Sequence, residues 1–401
     1  MRSLLAGVRV IDFSWIGAGS YTTKILADLG ADVIKIESSE RLDTLRVTKP
    51  FKDSVPGVNR SGYFADRNSS KRSITLNVKD PRGLDMAKRL IADADLVTNN
   101  FTPGVMDKLG LGYDVARSLS DRIVYASMSM QGADGPEKKD LGYGLTIAAL
   151  TGLQHMTGLP DREPAGTGTN YPDHIPNPGH TAFATLAALR HQRRTGRGQF
   201  IDLAQMEPTL AFIGPSLMNY MVNGVIESRQ GNARPGHAPS GVYRCAGDDR
   251  WIAIEVCNDA QWESLASVLG LSVQAGWSGM AGRLQDREAI DAEISKRTAT
   301  QDMSELMQTL QDAGVPAGAV YDARDVVNDP QLEDRRHWVI LNHLEVGPST
   351  YNAPPYRFSN AHSEPSLPAP LLGQHTAEIC RDLLGMNDAE IAELSAEGVL
   401  S

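Results

Sequence analysis

The chain has 401 residues, 41% of them apolar and 22% charged, with a mean hydropathy of -0.28. That describes a globular protein of one large domain or two to three ordinary ones, and it excludes stapled mini-proteins, disordered chains and membrane-embedded ones. Lys+Arg 39 against Asp+Glu 49 leaves a net charge of -10, so the global field repels nucleic acid and anionic lipid, and any anionic ligand must be met by a local basic patch.

Val8-Arg9-Val10-Ile11-Asp12-Phe13 is β-branched and bounded by Gly7, and its charges exclude a signal-peptide core, so it reads as a strand. A helix over 21–29 stopping at Gly30 and a strand over 32–37 complete a βαβ unit, which demands a parallel sheet. The pattern repeats with strands over 73–76, 96–98 and 122–128 and a helix over 81–94. Residues 1–130 are thus an α/β layer. An Ala-rich helix over 180–190 ends in Arg190, Arg193 and Arg194 before Gly196 and Gly198, and a strand over 199–203 follows. The segment 206–223 reads as one long helix with Met206, Met218 and Met221 in its core; Pro215, Asn219 and Asn223 interrupt the apolar run 210–226 and exclude a membrane span. The Gly/Pro-rich stretch 231–239 suits a loop joining two domains. Beyond it, a strand over 251–256 and helices over 260–269, 287–296 and 302–313 give a smaller α+β unit, and Asn387 with Glu390 predicts a capping box on the final helix.

The motifs that carry chemistry leave alternatives open. Gly17-Ala18-Gly19 after the first strand, with Glu37 closing the second, partly matches a dinucleotide fingerprint, but Thr22 stands where the third glycine belongs. Nicotinamide, another nucleotide-bearing ligand or a plain tight turn all fit. Residues 41–79 hold nine Lys/Arg (Arg41, Arg46, Lys49, Lys52, Arg60, Arg67, Lys71, Arg72, Lys79) against three acids. That patch either meets an anion or is a solvated face. Asp173 lies among Pro172, Pro176 and Pro178, which are expected to forbid a helix until His180 and to hold the carboxylate just ahead of a helix N-terminus. A dipole end there favours the ionised, nucleophilic form; an Asp in a turn or cap is the structural alternative. His174 and His180 lack the spacing of a zinc-binding helix and read as supporting residues. Cys245, Cys257 and Cys380 form no Cys-x-x-Cys pair, which disfavours disulfides and structural zinc and fits a reducing cytoplasm. With no Gly-x-Ser-x-Gly elbow, serine or cysteine hydrolase chemistry has no support.

Taken together, Val10-Ile11-Asp12-Phe13, the run 26–37, Lys71-Arg72-Ser73-Ile74, Asn100-Phe101-Thr102-Pro103-Gly104, Thr195-Gly196-Arg197-Gly198-Gln199 and Leu371-Leu372-Gly373-Gln374-His375-Thr376 resemble the class III CoA-transferases. That family includes formyl-CoA, carnitine-type and benzylsuccinate-type transferases and is related to the α-methylacyl-CoA racemases. The resemblance covers nearly the whole chain. It implies an α/β fold with a large Rossmann-like CoA-binding domain (1–225), a smaller α+β domain (226–325) and a segment 326–401 returning to the large domain. It also implies an interlocked-ring dimer, either a homodimer or a heterodimer with a paralogue, with active sites between the large domain of one chain and the small domain of the other. Asp173 falls on the family's nucleophile position, and the CoA contacts on Gly17, Ala18, Leu76, Asn77, Lys79, Asn100, Phe101, Thr102 and Lys108. A neutral glycine turn, cations and an aromatic suit a ligand with three phosphates and an adenine. CoA and acyl-CoA enter as substrates beside a carboxylic acid, with no tightly bound cofactor and no metal. Ser38 stands where the formyl-CoA branch has an arginine, so one phosphate contact must move or be lost; the chain also lacks that branch's run of consecutive glycines shielding the aspartate, and 231–236 is only a candidate substitute. Racemases place a histidine thirty residues before the aspartate; here that residue is Tyr143, a poor base near neutrality. Transfer is therefore favoured over racemisation. A non-catalytic subunit of a heteromeric transferase is the remaining alternative, and it is opposed by retention of Asp173. Trp15-Ile16-Gly17 and Tyr171-Pro172-Asp173-His174 look more like the benzylsuccinate-type branch, which implies a di-acid acceptor with succinyl-CoA as donor.

Overall fold

The structure, a computed structural model, describes residues 3–401. They form two compact units: one comprises the chain up to Gln154, Gly166–Ile226 and Glu333–Ser401, and the other His155–Ala165 with Glu227–Leu332. Residues His155–Ala165 thus group with the second unit although they lie inside the span 1–225.

In the first unit β1 (Arg9–Asp12), β2 (Asp32–Glu37), β3 (Arg72–Thr75), β4 (Leu96–Asn99), β5 (Val124–Ser129) and β6 (Phe200–Ala204) form a parallel sheet in the order β3-β2-β1-β4-β5-β6. Val10 lies opposite both Val33 and Leu96, so β1 is central. The two-residue period of a strand sends alternate side chains into two apolar layers. Val10, Val33, Leu96 and Val124 pack with Leu26, Ala27, Ala188 and Leu189, while Ile11, Ile34, Val97 and Tyr125 pack with Leu90, Ile91, Ile379 and Leu394. Helices Ile16–Asp28 and Pro176–Thr195 supply the first layer; Pro81–Ala92, Thr376–Asp382 and Asp388–Ala396 supply the second. Sheets covered on both faces need such near-continuous apolar strands.

Three local expectations are corrected. The first helix starts at Ile16, so Gly17 and Gly19 sit within its opening turn, and neither has a positive φ. Glycine is needed there for close approach: a Cβ on Gly19 would lie 2.4 Å from Ser14 Cβ. Prolines do not delay the helix to His180. Tyr171–His174 is a helical turn and the next helix begins at Pro176, because first-turn residues do not use the N–H that proline lacks. The segment 206–223 breaks into Met206–Thr209, a tight turn Leu210–Ile213 and Gly214–Asn223, and Met218 and Met221 are 55% and 72% exposed rather than core. No side chain of the helix Gly214–Asn223 is buried.

The second unit is built on an antiparallel sheet of β7 (Ser240–Arg244), β8 (Trp251–Glu255) and β9 (Ala317–Ala319) over a core that includes Ile252, Ile254, Trp262, Trp277, Ile290 and Leu306. The first unit also carries an antiparallel hairpin, β10 (Trp338–His343) and β11 (Gly347–Asn352). The Asn387–Glu390 capping box is present on the last helix. Among the described residues no helix is long and apolar enough to cross a membrane.

Fully buried charges knit the carboxyl ends of β1 and β2. Asp12 accepts from Ser14 N (2.9 Å), Thr98 Oγ1 (3.0 Å), Thr23 Oγ1 (2.6 Å) and Lys71 Nζ (3.2 Å). Lys35 pairs with Asp43 at 3.0 Å, and Arg46 meets Glu37 through both carboxylate oxygens at 2.8 and 2.7 Å. Burial opposes ionisation of Asp12, yet Lys71, Lys35 and the hydrogen bonds outweigh it and hold its pKa below the usual range. Removing one member strands its partners in a dry interior. Asp12→Ala is expected to cost about 3–5 kcal/mol of unfolding free energy, read from the urea midpoint at neutral pH; a loss within about 1 kcal/mol would show that this cluster is not a structural hub.

Candidate active site

Successive strands are added on one side of β1 up to β3 and on its other side from β4, and in such parallel sheets ligands bind at the carboxyl ends beside that switch point. A crevice of about 480 Å³ opens there, lined by residues following every strand of the sheet: Trp15 to Ala18, Ser38 with Glu40 and Arg41, Leu76 to Lys79, Asn100 to Pro103, Ser129 with Met130, and Gln205. The segment 140–143 and Asp173 complete the wall. The structure therefore brings Gly17, Ala18, Leu76, Asn77, Lys79, Asn100, Phe101 and Thr102 together with Asp173. Lys108 is not among them. The helical turn Val105–Lys108 turns Val105 and then Leu109, four residues on, toward the crevice and leaves Lys108 exposed.

The walls at the switch point are clasped. Asn100 Oδ1 accepts from Trp15 N at 2.8 Å and Asn100 Nδ2 donates to Trp15 O at 2.7 Å, so this amide spans the ends of β1 and β4. Trp15 meets Phe101 edge to face at 5.6 Å, and the Arg41 guanidinium lies 5.2 Å from the Trp15 ring centre. Ile16, at φ 58°, occupies the left-handed region that a β-branched residue avoids; its N–H is held by Asp43 Oδ1 at 3.1 Å.

Most of the basic stretch 41–79 is spent on structure. Arg46, Lys52, Arg60, Arg67, Lys71 and Arg72 are all ion-paired. Among the described residues Arg41, Lys49 and Lys79 of this stretch make no ion pair, and of these Arg41 and Lys79 line the crevice.

Asp173 is 5% exposed, in the helical turn Tyr171–His174. Its Oδ2 accepts one hydrogen bond, from Gly144 N at 3.1 Å. Burial pushes its pKa up to about 6, only partly offset by the Gly144 N–H, so desolvation overrides the helix-end stabilisation expected from the sequence. The carboxylate is wedged between glycines: a Cβ on Gly17 would lie 2.9 Å from Asp173 Cβ, and one on Gly144 2.9 Å from Asp173 Oδ2 and 2.6 Å from Asn170 Cβ. Gly144 is a site residue that the sequence reading missed. Its functional atom is a backbone N–H, and the only trace is the pair of glycines flanking Tyr143. The neighbouring His174 accepts from Arg67 at Nδ1 (3.3 Å), which leaves Nε2–H to donate to Tyr63 Oη (3.3 Å). Burial, then the Arg67 charge, lowers its pKa to about 4, so it is neutral at physiological pH.

A family model described as CoA-transferase family III matches residues 5–376. The chain belongs to CoA-transferase family III. It is 31% identical to succinyl-CoA:glutarate CoA-transferase of Mus musculus, over 99% of this chain and 90% of that protein. It is 30% identical to succinyl-CoA–D-citramalate CoA-transferase of Chloroflexus aurantiacus, over 99% and 98%. A solved CAIB/BAIF family protein from Brucella suis superposes with a TM-score of 0.87 at 33% identity, covering 96% of this chain and 100% of that one. This CoA-transferase is thus an enzyme whose substrates are CoA thioesters.

The raised pKa of Asp173 has a cost in stability with a definite sign. A carboxyl group titrating near 6 when folded, against 3.8 as its reference value, binds its proton more tightly in the folded state. Its penalty is absent below the reference value, grows between the two, and is complete above 6, at about 3 kcal/mol. Asp173→Asn in the transferase should therefore raise stability near neutral pH by up to about 2–3 kcal/mol, and urea titrations near pH 4 should show the gain gone.

Proposed function

We propose that the enzyme moves CoA from an acyl-CoA donor, succinyl-CoA foremost, to a free dicarboxylic acid through covalent intermediates on Asp173. The observation that carries this reading is a buried carboxylate with a single hydrogen-bond donor, facing a crevice at the switch point. The sheet geometry suits a nucleotide there, and Lys79 and Arg41 suit its phosphates. Arg41, three residues beyond Ser38, takes the phosphate contact that Ser38 cannot make. Gly17, Ala18, Leu76, Asn77 and Thr102 form the neutral walls, with Phe101 for the adenine; Asn100 holds the wall together instead of touching CoA. Both relatives named above carry succinyl-CoA in their names beside a carboxylic acid, which favours that donor.

Because Gly144 N–H occupies Oδ2, Asp173 Oδ1 is the attacking atom. Oδ1 adds to the thioester carbonyl and CoA thiolate leaves, giving a mixed anhydride. The thiolate then attacks Cγ, and the donor acid departs carrying Oδ1, leaving an aspartyl-CoA thioester. The acceptor carboxylate attacks Cγ and expels thiolate, forming a second anhydride. The thiolate attacks the acceptor's carbonyl, releasing acceptor-CoA and regenerating the carboxylate with an oxygen from the acceptor. Oδ2 stays on Cγ throughout, so the same Gly144 N–H stabilises each oxyanion formed there. High-energy acyl bonds survive only if water is excluded, and burial of Asp173 provides that on this side. His174, neutral and tied to Arg67 and Tyr63, positions the turn and moves no proton.

The exposed apolar side chains Phe183 (77%) and Ile226 (74%), with Met221 and Val222, support a second copy of the chain, or a paralogue, as what covers them. They are the surface on which the interlocked dimer implied by the family resemblance rests.

Two measurements test the reading. Since only the ionised carboxylate attacks, transfer rates should fall about tenfold per pH unit below about 6 and level off above it; a rate flat down to about pH 4 would remove Asp173 as nucleophile. Enzyme incubated with succinyl-CoA and hydroxylamine should yield an Asp173 hydroxamate, seen as a peptide mass shift, and Asp173→Ala should abolish transfer while remaining folded. Racemisation would instead show rapid deuterium uptake at the α-carbon of a 2-methylacyl-CoA with no acid present and no trapped aspartate. It would then draw on Tyr143, which lines the crevice.

A further inference from the structure

The antiparallel ladder places Ser240 opposite Glu255, and the N–H of Val256 donates to Pro239 O at 2.9 Å. This carries the end of β8 past the stretch that precedes β7 and brings His237 beside Glu255 and Cys257. One ligand atom from each of these three residues lies within 4.8 Å of the others. Cys257 is the exposed cysteine of the chain, whereas Cys245 and Cys380 are buried. His237 Nδ1 is shielded from solvent and has no hydrogen-bond partner among the described residues. All three residues lie in the second unit, and none takes part in the chemistry assigned to Asp173.

We propose that His237, Glu255 and Cys257 form a zinc-binding site on the second unit. A thiolate, an imidazole and a carboxylate together select Zn²⁺ over the hard cations Mg²⁺ and Ca²⁺. Three protein ligands satisfy all but one position of a tetrahedral ion and leave the fourth to water. Zinc bonds of about 2.0–2.3 Å put ligand atoms roughly 3.3–3.8 Å apart, so the cluster must tighten by about 1 Å. The exposed Cys257 side chain is free of packing that would prevent this. Coordination through Nδ1 would give His237 the partner it lacks. Binding releases the Cys257 thiol proton to solvent and forms the Zn–S bond. The competitor is Arg234, which is ion-paired with Glu255 and must be displaced. Occupied, the site would fasten the stretch 231–239 to the end of β8. The absence of a Cys-x-x-Cys pair hid it from the sequence, because its ligands converge only through strand pairing.

The test uses the full-length protein, stripped by chelator and titrated with Zn²⁺ by calorimetry and with Co²⁺ by absorption. One ion should bind per chain, and cobalt should give a thiolate charge-transfer band in the near ultraviolet. Cys257→Ala should remove the band, His237→Ala should weaken Zn²⁺ binding by roughly 10–100-fold or more, and Arg234→Ala should tighten it. Circular dichroism of each variant reports its fold. Absence of binding at micromolar Zn²⁺, a cobalt band that persists in Cys257→Ala, or equal affinity in the wild-type chain and folded His237→Ala would overturn the proposal. Unchanged or weaker binding in Arg234→Ala would remove Glu255 from the ligand set and overturn the site as drawn.

Discussion

The carboxylate of Asp12 is the constraint on which the crevice depends. Sequestered from water, it binds Thr98 of β4, Thr23 of the first helix, the backbone after β1, and Lys71 ahead of β3. A charge in that setting tolerates no loosening, since each lost partner leaves an unpaired group in low dielectric. Four separate stretches of chain are thereby fixed at the carboxyl ends of the strands, and the Asn100–Trp15 clasp repeats the device one layer nearer the ligand. The polar interior gives the site its geometric precision, while the two apolar layers supply the bulk of the stability.

Asp173 is treated in the opposite way. Its burial is nearly as complete, but it is given one backbone donor and no cation. A salt bridge would have held the carboxylate ionised and its pKa low. Lacking one, it has a raised pKa, and the glycines at 17 and 144 let the neighbouring backbone come close without adding charge. The two aspartates show one side-chain type whose acidity is moved in opposite directions by its neighbours alone.

The parts of this architecture that repeat at short range were legible in the sequence. β2 spans the residues expected, the Asn387 capping box is where Asn and Glu spacing put it, and the strand–helix alternation announces a parallel sheet. What failed depended on distant context. The prolines around Asp173 read as helix breakers in the sequence, which does not show that Pro172 and Pro176 fall in the first turns of two helices, where proline is tolerated. The direction in which the acidity of Asp173 moves is not legible locally, because it is set by burial, which only the folded chain provides. Met218 and Met221 have core-like spacing, yet both side chains are exposed. The cations at 41–79 looked alike in a row, and only three-dimensional pairing separates Arg46 and Lys71, which are structural, from Arg41 and Lys79, which face the crevice.

The far end of the chain bears on the crevice from below. Asn77 N donates to Val399 O at 2.8 Å and Thr75 Oγ1 to Leu400 O at 3.0 Å, so the wall carrying Leu76 to Lys79 is propped by residues more than three hundred positions later. During synthesis on the ribosome the first five strands emerge long before this prop exists. The nascent sheet must wait with the face bearing the helix Pro81–Ala92 only part-covered, while the whole second unit is translated, before Ile379, Leu394 and Val399 can complete the cover. Folding of this enzyme is thus completed late and from the tail, and that interval is when the half-covered sheet is exposed to chaperones and to other nascent chains.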